Sequence, residues 1–471
     1  MKVFHLSTEC FPVAKVGGLA DVVGALPKFQ RQLEVDALVV MPWYDKKFVE
    51  ENELKPIAED YFEQGSESLK YIIYKADTAL LGFPLYLIKI PGKLDRPEIY
   101  TYPDEDEQWI AFQHAFLHWL KYHHKNPPDI IHCHDHHVGI IPFLTKYANE
   151  FNVFSSIKTV FTVHNAEYQG WLNWDKSTLL PAFDTWKWGL MDWDGQINPL
   201  ATAIKCVDAY TAVSEGYLHE LFEDANGLAN LFKAQSHKGY GIVNGIDTSL
   251  WNPETDRAIH SNYNIKTVNK GKKANKKALC RQYNIPDDVP LISFIGRFAY
   301  QKGADLLRPV FSALYSRNPG KFSAFILGSG EPVVEEAVRR LQNNHQDNNG
   351  IHIGYDENLA HQIYASSDML IMPSRVEPCG LNQLYALKYG TIPVVRNIGG
   401  LRDTVTDIKQ ENGYGFKFES SEPAEAVETI ERAMEIFNEK DRWKIIRNRA
   451  MHLDFSWNKS ADKYVELYKE L

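Results

Sequence analysis

The sequence predicts an α/β chain of two doubly wound domains, each with parallel strands alternating with helices. Three observations carry this prediction. Short apolar runs ending in Gly, Asp or His alternate with longer segments of helical period. The chain has 471 residues, more than a single core usually supports. Its 44% hydrophobic and 24% charged residues sit near the globular average, which excludes disordered, collagenous and coiled-coil chains.

The first strand is Val3-Phe4-His5-Leu6, too short a run for a helix. A loop follows, and then Leu19, Val22, Val23, Leu26 and Leu33 recur at helical spacing, with Pro27 inside that helix implying a kink. Strands are expected at Ala37–Met41, Asp129–His132, Thr159–Val163 and Ala209–Val213, which fills one domain. After Asn244-Gly245-Ile246-Asp247 the composition turns polar, placing the boundary near residue 246. Lys266, Lys270, Lys272, Lys273, Lys276 and Lys277 then crowd together and read as a solvated helix face rather than a nucleic-acid surface. The second domain opens at Leu291–Ile295 and continues with strands at Ser323–Leu327, Ile351–Ile353, Met369–Met372 and Ile392–Val395. Ligands collect at the carboxyl ends of strands in open α/β sheets, so two such domains face to face would make a cleft that holds the chemistry.

Fifty-one basic against sixty-one acidic residues give a net charge of −10, which argues against general affinity for nucleic acid or an anionic membrane. Glu9 breaks the first apolar stretch too soon for a signal sequence, and no apolar run approaches the length of a membrane span, so a cytoplasmic location is expected. Cys10, Cys133, Cys206, Cys280 and Cys379 are odd in number and scattered, which fits reduced thiols better than disulfides or a thiolate zinc site.

Several loops could carry chemistry. Lys15-Val16-Gly17-Gly18 lies between the first strand and its helix, where free amides and a cation attract anions; the alternative is a plain tight turn. Arg297 and Lys302 share one strand-to-helix loop, either as ligand-binding cations or as solvated charges. Glu377, in Pro373 to Gln383, precedes another helix start, where it faces neutral hydroxyls or a developing positive centre, or serves only as a helix-start charge. Arg396-Asn397-Ile398-Gly399-Gly400 opens a further helix. Three such ends with three cations make a coherent site for a pyrophosphate. His132-Cys133-His134-Asp135-His136-His137 invites a metal, but alternation along a strand would split these side chains between two faces, so no metal is expected. Asp104-Glu105-Asp106 and Asp192-Trp193-Asp194 end no apolar strand and read as solvated loops. No partner carboxylate for Glu377 is identifiable, which disfavours a glycoside hydrolase.

Lys15-Val16-Gly17-Gly18-Leu19-Ala20-Asp21, His164-Asn165, Asn244-Gly245-Ile246-Asp247 with Trp251, Arg297 with Gln301-Lys302-Gly303, and Glu377-Pro378-Cys379-Gly380-Leu381 occur in an order that closely resembles the bacterial glycogen and plant starch synthases. The resemblance runs from residue 1 to the last helix. It implies the GT-B fold, with two Rossmann-like domains at residues 1–246 and 247–454. It also implies a C-terminal helix at 455–471 that returns to the first domain. The implied reaction is metal-independent transfer of glucose from ADP-glucose to the non-reducing 4-hydroxyl of an α-1,4-glucan, with retention and no cofactor. The implied partners are those two substrates.

Position by position, Lys15, Gly17 and Gly18 resemble the loop that approaches the donor diphosphate and glucose, and Arg297 and Lys302 the cations on that diphosphate. Gly354 and Tyr355 resemble the adenine-stacking position, and Cys379, Gly380 and Leu381 the helix start that touches phosphate. His164, Asp21, Asn244 and Glu377 match positions lining the donor sugar. There are departures: Val376 stands where the family usually has an aromatic, and Ala201 lies near where it has a lysine. Trp171, Trp174, Trp186, Trp188 and Trp193 fall close together and could form an acceptor-glucan platform, or could simply pack an irregular segment.

Overall fold

Val3, Phe4 and Leu6 are wholly buried because strand β1, Lys2–Leu6, is covered on both faces and paired in parallel on both edges. The computed structural model describes residues 1–471 and contains two units, Met1–Val243 with Trp457–Leu471, and Asn244–Ser456.

In the first unit β1 is followed by β2 (Asp36–Pro42), β3 (Lys55–Gln64), β4 (Glu67–Ala76), β5 (Leu85–Lys89), β6 (Ile130–His134), β7 (Lys158–Val163), the short hairpin of β8 (Asp192–Trp193) and β9 (Gln196–Ile197), β10 (Ala209–Ala212) and β11 (Gly239–Gly241). Nine of these form one sheet in the order β11-β10-β7-β6-β1-β2-β5-β4-β3. The pairings of β4 with β3 and β5 are antiparallel and the others parallel. The strands expected from apolar runs are present. Strands β3 to β5 were not expected; β3 is charged, carries Pro56 and turns mostly to solvent, whereas β5 is a buried apolar run like the expected strands. Pro27 lies inside the helix Gly18–Gln32, which buries Leu19, Val22, Val23, Leu26 and Phe29. The last helix, Trp457–Glu470, packs Trp457, Ala461, Tyr464 and Tyr468 into a core cluster with Val22, Leu26 and Phe29.

In the second unit β12 (Leu291–Ile295), β13 (Ser323–Gly328), β14 (Asn349–Ile353), β15 (Met369–Met372), β16 (Ile392–Arg396) and β17 (Phe416–Phe418) pair in parallel in the order β14-β13-β12-β15-β16-β17. This is the doubly wound order of a dinucleotide-type fold. The division falls at Val243/Asn244 rather than at residue 246, and Phe455 and Ser456 stay with the second unit. The Ile246 N–H donates to the Phe455 carbonyl at 2.8 Å, and Ile246 forms a parallel bridge with Ser456, which ties both ends of this unit together.

The expectation of a solvated lysine face fails in part. Helix Val268–Tyr283 forms, but Lys272 and Lys276 are buried in it. Lys272 Nζ donates to the carbonyls of Tyr364, Ala365 and Tyr389 at 3.1, 3.3 and 3.2 Å and to Thr391 Oγ1 at 2.8 Å, so it caps the ends of two other helices. Lys276 pairs with Asp368 at 2.8 Å. No helix is long and apolar enough to cross a membrane.

Candidate functional site

The strand order of the second sheet reverses between β12 and β15, and the loops leaving those two strands are where such a sheet binds ligands. They are stitched to each other. Gly303, at φ 63°, lies so close that a Cβ there would sit 2.0 Å from the Pro373 carbonyl oxygen. The N–H groups of Arg375 and Val376 donate to the Gln301 carbonyl at 2.7 and 3.2 Å. The Arg375 guanidinium grips Asp305 with two bonds of 2.6 and 2.8 Å and stacks 3.8 Å over the Tyr300 ring. Val376, the departure noted above, is half-buried beside it.

This scaffold brings Lys302 and Glu377 together. Lys302 Nζ lies 2.6 Å from Glu377 Oε1, and Ser374 Oγ donates to Glu377 Oε2 at 2.9 Å. Glu377 is buried with both oxygens occupied, while Lys302 keeps part of its surface and two further N–H donors. Arg297, on the same loop, is exposed and makes no ion pair. A carboxylate held this way is poorly placed to attack carbon; it positions an ammonium instead.

Cys379 is buried, and burial pushes its thiol up to about 12, so it offers no nucleophile. Gly380 has φ 74°, and a Cβ there would meet Gln383 Oε1 at 2.4 Å. Leu381 precedes helix Asn382–Lys388, and Gly399 opens helix Gly399–Thr404. Both helices are short, of seven and six residues. The Asn244 backbone N–H faces the Cys379 sulfur, and Asn244 Oδ1 is buried with no hydrogen-bond partner. Gly354 and Tyr355 follow β14 at the sheet edge; Tyr355 is 77% exposed and its hydroxyl donates to Glu357 at 3.2 Å.

The first sheet reverses between β1 and β6. After β1, Lys15 Nζ pairs with Asp21 at 2.7 Å, so two expected residues meet. The Gly17 amide does not stand open as expected. Buried Glu9 accepts from the N–H groups of Val16 and Gly17 at 2.5 and 2.9 Å and from the Tyr100 hydroxyl at 2.7 Å, because a buried carboxylate needs several donors. A Cβ at Gly17 or Gly18 would meet nothing within 4 Å, so packing does not require glycine at either position.

His164 follows β7. Its backbone N–H donates to Asp135 Oδ1 at 2.7 Å, and its Nε2 lies 3.1 Å from His134 Nδ1. Burial lowers the His164 ring to about 3 and raises Asp135 to about 7. Asp135 also holds φ 62°, rare for a residue with a side chain. Alternation along β6 puts His132 and His134, two apart, on one face, where they meet His5 of β1. The three rings could converge on a metal, but every one of their nitrogens already has a hydrogen-bond partner.

The tryptophans divide. Trp171, Trp186 and Trp188 are exposed, Trp186 at 90%. Trp174 donates to Asp192 at 2.8 Å and meets Trp188 edge-on at 5.8 Å, and Trp193 lies under Lys205. Ala201 is wholly buried in helix Pro199–Cys206, and its methyl side chain supplies no charge there. Asp104 is clamped by Arg96 at 2.6 and 2.8 Å, a structural role. Glu9, Asp135, His5, His134 and Ser374 had no assigned site role in the sequence, since burial and pairing give them their significance.

A family model described as the starch synthase catalytic domain matches residues 2–234, and one described as glycosyl transferases group 1 matches residues 275–449. A glycogen synthase of Flavobacterium johnsoniae is 44% identical over 468 residues, covering 99% of this chain and 98% of the relative. One of Kosmotoga olearia is 37% identical, covering 100% and 98%. Among solved structures, the catalytic domain of starch synthase IV from Arabidopsis thaliana, bound to ADP and acarbose, superposes with a TM-score of 0.89 at 31% identity, covering 99% of this chain and 98% of that one.

Proposed function

The chain belongs to the glycogen and starch synthase family of GT-B glycosyltransferases, and from that premise we propose that it transfers glucose from ADP-glucose to the non-reducing 4-hydroxyl of an α-1,4-glucan, with retention and without a metal. The observation that carries this reading is the Lys302–Glu377 pair at the switch point of the second sheet, with unpaired Arg297 on the same loop. In the reaction the bond from the glucose anomeric carbon to the diphosphate breaks, the bond to the acceptor oxygen forms on the same face, and the acceptor proton leaves with ADP. Negative charge grows on the departing diphosphate. Fixed cations stabilise that charge more than they stabilise the intact donor, and this lowers the barrier.

Arg297, Lys302 and Lys15 are assigned to the diphosphate, with the open space at Gly17 and Gly18 supporting close approach of a ligand to that loop. Cys379, Gly380 and Leu381 contribute backbone to phosphate, and exposed Tyr355 with Gly354 offers a face for adenine stacking. Asn244, whose buried Oδ1 has no protein partner, is assigned with His164 and Asp21 to the donor sugar. Trp171, Trp186 and Trp188 suit an acceptor platform because exposed indoles stack on sugar C–H faces. Trp174 is assigned to holding Trp188.

The test is nucleotide release from ADP-glucose and UDP-glucose, with and without glycogen primer, in the presence of EDTA. Primer-dependent ADP release that persists in EDTA and falls on the order of a hundredfold or more in Lys302→Ala and Glu377→Ala is the expected result. Primed release from neither nucleotide sugar would reject the reading.

A further inference from the structure

A chain of hydrogen-bonded side chains crosses the core of the first unit. Gln30 Nε2 donates to the Tyr468 hydroxyl of the last helix at 3.1 Å, and Gln30 Oε1 lies 2.7 Å from His5 Nε2. His5 Nδ1 is 3.0 Å from His134 Nε2, and His134 Nδ1 is 3.1 Å from His164 Nε2. Gln30, His5, His134 and Tyr468 are all buried. Apolar residues would fill these core positions at lower desolvation cost, so a continuous polar chain ending at His164 calls for a role beyond packing.

The amide gives the chain its direction. With its nitrogen toward Tyr468, Gln30 presents to His5 an oxygen that can only accept, so His5 carries its hydrogen on Nε2. A neutral His5 ring then has a bare Nδ1, which accepts from His134 Nε2–H. His134 Nδ1 is bare in turn and accepts from His164 Nε2–H. The Tyr468 hydroxyl, having accepted from Gln30, donates to His132 Nδ1 at 2.6 Å, and His132 Nε2–H donates to Thr162 Oγ1 at 2.6 Å. Each donor meets one acceptor throughout. Burial lowers His5 to about 4 and His132 and His134 well below the usual imidazole range, so these rings are neutral near pH 7.

We propose that Gln30, His5 and His134 are positioning residues that fix the His164 ring with its hydrogen on Nε2, leaving its Nδ1 lone pair to accept from a hydroxyl of the transferred glucose. This rests on the assignment of His164 to the donor sugar. His134 is the member through which the chain acts, since it alone touches the His164 ring.

Two-bond nitrogen–hydrogen correlation spectra of the full-length protein with nitrogen-15 histidine read the tautomers directly. Hydrogen on Nε2 of both His134 and His164 is expected. Hydrogen on Nδ1 of His164, or a mixture, overturns the proposal, because the opposite Gln30 orientation would reverse every bond. In kinetics, His134→Phe keeps a ring and loses the acceptor, so kcat should fall about tenfold or more while KM for ADP-glucose stays within about twofold. His134→Asn restores an acceptor at the Nδ1 position and should recover most of kcat. An unchanged kcat in the Phe variant, or equal loss in both, overturns the positioning role. Wild-type transfer activity tests the functional reading separately, and the wild-type spectrum stands whether or not a variant folds.

Discussion

Gly303 shows how much one residue can hold in place. Its φ of 63° disfavours any other amino acid, and a Cβ would strike the Pro373 carbonyl oxygen at 2.0 Å, so the loop carrying Lys302 and the loop carrying Glu377 touch only because no side chain separates them. Gly303→Ala should destabilise the protein by roughly 1–3 kcal/mol and lower kcat/KM for ADP-glucose, since Lys302 is its neighbour. Urea unfolding and primed ADP release check both. At this scale the sequence showed the residue types and not their partners. Lys302 and Glu377 could be singled out as a cation and a carboxylate on separate loops, but they are 75 positions apart, and nothing local states that one would neutralise the other. Glu9 was hidden for another reason: it lies only eight positions from Gly17, but the turn that folds its carboxylate back onto the Gly17 amide has no periodic signal.

Among the elements, helix Val268–Tyr283 departs furthest from its sequence. Its six-lysine neighbourhood suggests a solvated face, yet Lys272 and Lys276, four apart and therefore on one side, turn inward. Lys272 ends where three backbone carbonyls and a threonine hydroxyl converge, so its ammonium replaces water for the ends of helices Glu357–Ser366 and Asn382–Lys388. Lys272→Met should cost on the order of 3 kcal/mol by stripping buried acceptors of their donor. The urea midpoint should fall accordingly, while KM for ADP-glucose at a temperature where both proteins are folded stays unchanged. Hydropathy misses this arrangement because it scores a lysine by its type, whereas the cost of burying it depends on acceptors supplied from elsewhere in the chain. The last helix was anticipated through the family resemblance, and its Trp457, Tyr464, Leu467 and Tyr468 are buried.

For the whole molecule, the buried histidines couple folding to pH. His5, His132, His134 and His137 are buried, with ring pKa values depressed by desolvation from the ordinary 6.5. The unfolded chain therefore binds protons that the native state refuses, and stability is lost as pH falls below about 6.5. At pH 5.5 each such group costs about 1.4 kcal/mol. Asp135, raised to about 7, works in the opposite sense but is one group against these four and against His114, His136 and His164, which burial lowers to about 3, 4 and 3. Thermal unfolding followed from pH 7.5 to 5 should show a midpoint that drops steadily, and a flat profile would contradict the neutral histidine core. Taken alone, the order of residues determined the alternation of strand and helix, the doubly wound class, the positions of the buried parallel strands and the motifs that mark the family. All of these are properties of neighbours in the chain, since a strand buried on both faces is a short apolar run and a helix face repeats every few residues. Folding alone settled which strands flank each reversal of sheet order, that Lys302 meets Glu377, and that a line of side chains joins Tyr468 to His164. These depend on contacts between residues 75, 129 and 438 positions apart, and such contacts are fixed by sheet pairing and helix packing, which local periodicity does not encode.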